Sequence, residues 1–113
     1  MHELSIAQNI LRIVEEEARK NKATRINSIK IKAGEMRGIV SKSLSFCFDF
    51  VSRGTLAEGA RIDIEKIPIQ GQCNQCQAIF LVENYQFSCP QCQSKEVNLT
   101  QGMELLVHEI ETD

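Results

Sequence analysis

Four of the five cysteines fall in two matched pairs, "CNQC" and "CPQC", at Cys73, Cys76, Cys89 and Cys92. The spacing is C-x2-C-x12-C-x2-C. A two-residue gap lets a tight turn aim two thiolates at one ion, and two such turns on a short hairpin complete a tetrahedron. Zinc accepts four sulfurs at ~2.3 Å and brings no redox chemistry. The competing readings are an iron–sulfur cluster, a pair of redox disulfides or two unrelated thiol pairs. The spacing and the lack of a redox-partner motif favour zinc. Four protein ligands leave no position for water or substrate, so the site is expected to be structural rather than catalytic. Between the pairs, Phe80, Leu81, Val82, Tyr85 and Phe87 supply apolar residues for two short strands, a zinc-ribbon-like arrangement.

The rest of the chain must carry its own core with few aromatics. Its 113 residues include five Phe, one Tyr and no Trp, so the core is expected to be Ile, Leu and Val. A domain of this size buries a modest core, and a metal staple helps it. The net charge of −2 argues against holding a polyphosphate backbone, so no nucleic acid partner is expected. No apolar run approaches the ~20 residues of a membrane span. Glu3, Glu15, Glu16 and Glu17 break any signal-peptide pattern, which makes the cytoplasm the expected location. Cysteines there are more often metal ligands or buried thiols than disulfides. Cys47, on an apolar helical face, reads as a buried core residue.

Hydrophobic periodicity gives the order of elements. From Leu4 to Lys22, Leu4, Ala7, Ile10, Leu11, Val14 and Ala18 recur at helical spacing, with Ile6 and Ile13 widening the face and Ser5 as a cap. Over 24–34, Ile29, Ile31 and Ala33 alternate with Ser28, Lys30 and Lys32, a half-buried strand. Gly34 and Gly38 bracket a turn. The stretch "SKSLSFCFDFVSRG" predicts a second helix, with Leu44, Cys47, Phe48 and Val51 on its core face and Phe46 and Phe50 beside them. Ser41 or Ser43 would cap it and Gly54 end it. A second strand follows over 60–71, with a bend near Lys66 to Pro68. The last strand follows Gly102, and its pattern leaves two options for the core: Met103, Leu105 and Val107, or Leu106 and Ile110. The fold class is α+β: two helices packed on a three-stranded sheet, with an inserted zinc-ribbon-like domain. The domains expected are 1–70 plus 102–113, and 71–101.

The amino terminus offers a second set of metal donors. The α-amine of Met1, the amide nitrogen of His2 and the imidazole of His2 close a five-membered and a six-membered chelate ring. Such nitrogen donors suit the square-planar preference of Ni(II) or Cu(II). Glu3 can add its amide nitrogen or carboxylate. His2 is too large for the usual removal of the initiator, so Met1 should remain. His108 is the only other histidine, and nothing in the sequence makes it the fourth donor. By itself, one histidine near a chain end is more often a solvated residue than a ligand.

Taken together, "MHELS", "SLSFCFDFVSRGTLAEGARIDIE" and the two CxxC pairs resemble the HypA/HybF family, nickel metallochaperones for maturation of nickel–iron hydrogenases. The resemblance runs nearly the whole chain. It implies nickel as cargo at Met1, His2 and Glu3, and structural zinc at Cys73, Cys76, Cys89 and Cys92. It implies a domain for each metal. It also implies two partners, the maturation GTPase HypB and the hydrogenase large subunit precursor, with urease served by some members. The sequence departs at one point: where some relatives carry a histidine after a CxxC pair, Gln77 and Gln93 stand here.

No nucleophile–base pair, phosphate-cradling glycine loop or open metal site is evident, so the chain is not expected to be an enzyme. Lacking G-x4-GK[ST], it would depend on a partner for any GTP hydrolysis. The alternative function is a zinc-ribbon protein-interaction adaptor without nickel cargo. Oligomeric state, including a homodimer, is left open.

Overall fold

The computed structural model describes residues 2–113. The chain runs α1 (His2–Lys20), β1 (Ile26–Gly34), a 3-10 turn (Glu35–Arg37), α2 (Ser41–Val51), β2 (Arg61–Ile67), β3 (Gln70–Cys73), β4 (Ile79–Leu81), β5 (Val97–Gln101) and β6 (Leu105–Thr112). Two three-stranded sheets result, in the orders β2-β1-β6 and β4-β3-β5. The chain divides into two compact units. One comprises residues up to Lys32, Ile39–Glu65 and Leu106–Asp113; the other comprises Ala33–Gly38 and Lys66–Leu105. No helix among the described residues is long and apolar enough to cross a membrane.

In the first unit, α1 buries Ala7, Ile10, Val14 and Ala18 of the stripe that helical spacing predicts, with Ile6 beside them, while Leu4 and Leu11 are half-buried. Ile13 departs from expectation: it is exposed. From α2, Leu44, Cys47 and Phe48 are buried, and β1 adds Ile26, Ile29 and Ile31. The expected architecture of two helices on a three-stranded sheet is the one found. Phe46 and Phe50 are exposed rather than beside the core. The hydrogen bond from the Ile26 N–H to the Leu56 carbonyl ties the post-α2 loop to β1. Asn27 Nδ2 donates to the Asp113 carboxylate at 2.7 Å and fastens the chain end beside the same strand.

The final strand follows neither single option. Leu105, Val107 and Ile110 are half-buried while Leu106, His108 and Glu109 are exposed. The alternation therefore shifts between Val107 and Ile110, and a strict period of two misses one end of the strand.

In the second unit, β3 pairs antiparallel with both β4 and β5, with Gly71 opposite Phe80 on one side and Leu99 on the other. The break between β2 and β3 falls at Pro68 and Ile69, where the bend was expected. The two strands expected between the cysteine pairs reduce to one, β4; the second strand of that role is β5, beyond Cys92. Tyr85 lies outside any strand, with φ of 56° directly after Asn84 at 52°, and these left-handed residues break extended backbone.

Gly34 is required by close approach. A Cβ there would lie 2.0 Å from the Gly102 carbonyl oxygen, and that oxygen accepts the Met36 N–H at 2.9 Å. Backbone cannot yield as a flexible side chain would. Gly34→Ala is expected to cost about 1–3 kcal/mol or more, the range for overpacking. Urea unfolding of the variant beside the parent chain measures it; equal midpoints would refute the clash.

Candidate metal centre

The two CxxC turns are near copies of each other. The Cys73 N–H donates to the Ala78 carbonyl at 2.9 Å and the Cys89 N–H to the Ser94 carbonyl at 2.8 Å. The Gln77 and Gln93 N–H groups return to the Cys73 and Cys89 carbonyls at 3.0 and 2.9 Å. To close these loops Gln77 and Gln93 adopt left-handed backbone, with φ of 67° and 61°. Their side-chain amides donate back into their own turns, to the Asn74 carbonyl at 3.3 Å and the Pro90 carbonyl at 3.5 Å. The two positions without histidine thus have a common structural use.

Each turn aims backbone donors at its first sulfur. The Gln75 N–H lies 3.3 Å from Cys73 Sγ, and the Gln91 N–H lies 3.4 Å from Cys89 Sγ. Across the turns, Cys73 Sγ is 3.6 Å from Cys92 Sγ and Cys76 Sγ is 3.5 Å from Cys89 Sγ. All four sulfurs lie within 4.8 Å of one another. A tetrahedron with ~2.3 Å metal–sulfur bonds has edges of about 3.8 Å, so the cluster has the size for one ion. Cys73 and Cys89 are buried, Cys76 and Cys92 exposed. Among the described residues this is the one convergence of three or more His, Cys, Asp or Glu ligand atoms.

The thiols differ in acidity. The Cys76 N–H, foremost, holds the Cys73 thiol down to about 6, against the opposing effect of burial. The Cys92 N–H likewise lowers Cys89. The Ser94 N–H favours the Cys92 thiolate, but sharing a proton with Cys73 and burial outweigh it and push that thiol up to about 12. Negative charge is therefore favoured on the buried sulfur of each turn, and the protons the cluster still holds must leave when an ion binds.

At the other candidate site, Met1 lies outside the described residues. His2 and Glu3 form the first turn of α1. The His2 side chain is 56% exposed, and its Nδ1 lies 3.8 Å from Glu3 Oε2. Glu3 is not an ordinary first-turn residue of α1. Its carboxylate accepts the Val40 N–H at 3.3 Å, at the N-cap of α2. That bond, foremost, holds the Glu3 carboxyl below its ordinary value of 4.5. α2 has no side-chain cap of its own, so Ser41 and Ser43 do not serve as expected, and Ser5 lies inside α1 rather than at its start. Sequence reasoning missed the Glu3 contact because its partner is a backbone N–H 37 positions away. Glu3→Ala is expected to speed hydrogen exchange at the Val40 amide and lower the melting temperature of the metal-free chain. Unchanged exchange would show that the contact does not hold α2. His108, exposed on β6, borders a small hollow with Lys30, Lys32, Asp63 and Glu65 and joins no ligand cluster.

An α+β unit joined to a ribbon-like unit with four converging cysteines defines a small metal-binding protein. The family model for HypA, described as hydrogenase/urease nickel incorporation, metallochaperone, matches residues 1–112. The hydrogenase maturation factor HypA of Geobacter sulfurreducens is 40% identical over 113 residues, covering all of both chains. That of Azotobacter vinelandii is 41% identical over the same length, again covering both. The solution structure of the nickel metallochaperone HypA from Helicobacter pylori superposes with a TM-score of 0.70 at 26% identity, over 99% of this chain and 97% of that one. The chain belongs to the HypA family of nickel metallochaperones and hydrogenase maturation factors.

Proposed function

We propose that this chain carries Ni(II) at its amino terminus and delivers it to a hydrogenase large subunit precursor, working with the maturation GTPase HypB. Zn(II) at Cys73, Cys76, Cys89 and Cys92 holds the ribbon-like unit. The nickel ligand comprises the Met1 amine, the His2 amide and imidazole, and Glu3. The chain itself performs no catalysis, and its nickel-carrying and zinc-carrying parts are separate domains.

The observation that carries this reading is the position of His2 at the start of α1 with its side chain exposed. The first four N–H groups of a helix have no acceptor within the helix. A metal can displace the His2 amide proton there without breaking a helical hydrogen bond. The six-membered ring closes through His2 Nδ1, the nitrogen that faces Glu3. Glu3 adds its backbone nitrogen directly, or its carboxylate by leaving the Val40 N–H. A nitrogen-rich set favours nickel geometry, whereas four thiolates favour zinc, so the two ions are sorted by ligand chemistry.

The test is Ni(II) titration followed by absorption and X-ray spectroscopy on the parent chain and His2→Ala. The parent should bind one nickel per chain through nitrogen donors, and His2→Ala should lose that signature. Equal binding by both would favour the adaptor reading instead.

A further inference from the structure

Helix α2 divides three phenylalanines between two environments. Phe48 is fully buried, whereas Phe46 and Phe50 are 74% and 60% exposed. A strand would line up the three in "FCFDF" on one side. The helix turns Phe48 inward and sets Phe46 and Phe50, four residues apart, side by side on its outer face. Lys42, one turn before Phe46, and Arg53, about one turn beyond Phe50, extend the same stripe. The Arg53 guanidinium lies 5.7 Å from the centre of the Phe50 ring. Among the described residues neither cation is in an ion pair. Asp49 is the single acidic side chain within the stripe.

We infer that the outer face of α2 docks the nickel-receiving protein, with Phe46 and Phe50 entering an apolar groove on that protein and Lys42 and Arg53 meeting acidic side chains on the groove's rim. The inference rests on the delivery role proposed above.

Charge and area select this occupant. Two cations against one carboxylate give the stripe a positive bias that an acidic rim complements. Two partly exposed phenylalanines offer roughly 250 Å² of apolar surface, since a whole side chain buries about 150–250 Å². A stable interface buries about 800 Å² per partner, so this face is too small for half of a permanent dimer. Aromatic anchors at i and i+4 on a rigid helix suit a groove on another protein and a contact that must release. The face also begins beside the cargo end. α2 follows Val40, whose N–H is held by Glu3, the neighbour of His2. A partner seated on α2 therefore approaches His2 from the start of the helix.

The test uses the full-length, zinc- and nickel-loaded protein and the purified hydrogenase large subunit precursor in calorimetric titration. Phe46→Ser/Phe50→Ser should keep the parent's nickel stoichiometry and melting temperature, since both side chains point to solvent. It should bind the precursor on the order of 30-fold more weakly, as removal of an interface anchor does. Lys42→Glu/Arg53→Glu should bind several-fold more weakly at low salt, and the difference should shrink as salt rises. Unchanged affinity in the double serine variant, with the parent binding normally, would overturn the docking face and leave the delivery role standing. No binding by the parent would overturn both. Sedimentation showing parent dimers that the serine variant abolishes would give the face to a second copy and overturn the inference.

Discussion

Cys73→Ala is expected to abolish zinc binding and unfold the second unit while the first stays folded. Metal analysis should fall from about one zinc per chain to none, on the four-thiolate count. The amide signals of β3, β4 and β5 should collapse to unfolded positions. The size of the effect follows from what that unit buries. In that unit the buried apolar side chains are Ala33, Ile69, Val82, Cys73 and Cys89. Two of these five belong to the cysteine cluster itself, so without an ion there is little apolar core to replace it. A structural zinc site contributes ~10–16 kcal/mol of apparent binding energy, more than a whole small domain's net stability. The first unit differs: Val14, Ile26, Ile29, Ile31, Leu44 and Phe48 are all fully buried within it. A chelator should reproduce the variant's behaviour, and acidification should favour release, because protons compete for the thiolates. If Cys73→Ala kept its zinc, or kept dispersed signals from β3 to β5 without it, the ribbon's dependence on the ion would be wrong.

This contrast explains which parts of the molecule were legible in the sequence. Chemistry within a few residues could be read directly. The CxxC spacing located the four sulfurs, and helical periodicity found the buried face of α1. What could not be read depends on residues far apart. Glu3 serves α2 through a backbone N–H, and no side-chain pattern records a backbone donor. The serines of "SKSLS" look like caps, yet the helix start is held from α1 instead. Phe46 and Phe50 are as apolar as Phe48, and only the direction of α2's core contacts separates them. The β5 strand was hidden because its pattern lies outside the cysteine pairs, where it looks like part of the exit from the insert. The departures at Gln77 and Gln93 were legible as departures, but their left-handed backbone and inward amides were not.

If the amino terminus carries nickel as proposed, the largest expected effect there comes from blocking the Met1 amine. Acetylation, or a short extension left by a fusion, removes the first donor and breaks the five-membered ring. Nickel affinity should fall at least about 100-fold, the upper end of what losing a mere supporting hydrogen bond costs a metal site. Removing the extension with a protease should restore it. Inserting one alanine between Met1 and His2 should act in the opposite direction. The amine, two successive amides and the imidazole would then come from one continuous stretch and fill all four square-planar positions. Binding should tighten, and transfer of nickel to a competing chelator should slow. In the proposed chelate the parent sequence supplies only three such nitrogens before Glu3, so the fourth position would be held by a group that can leave. Glu3 fits that description because its carboxylate already has a second engagement, the Val40 N–H at 3.3 Å. On that proposal, strength of binding and ease of release would be set by the same residue count. A carrier needs the incomplete chelate, since one that fills every position keeps its ion. If the blocked chain bound nickel as well as the parent, the donors would lie elsewhere. If the insertion weakened binding, the amide of His2 would not be among them.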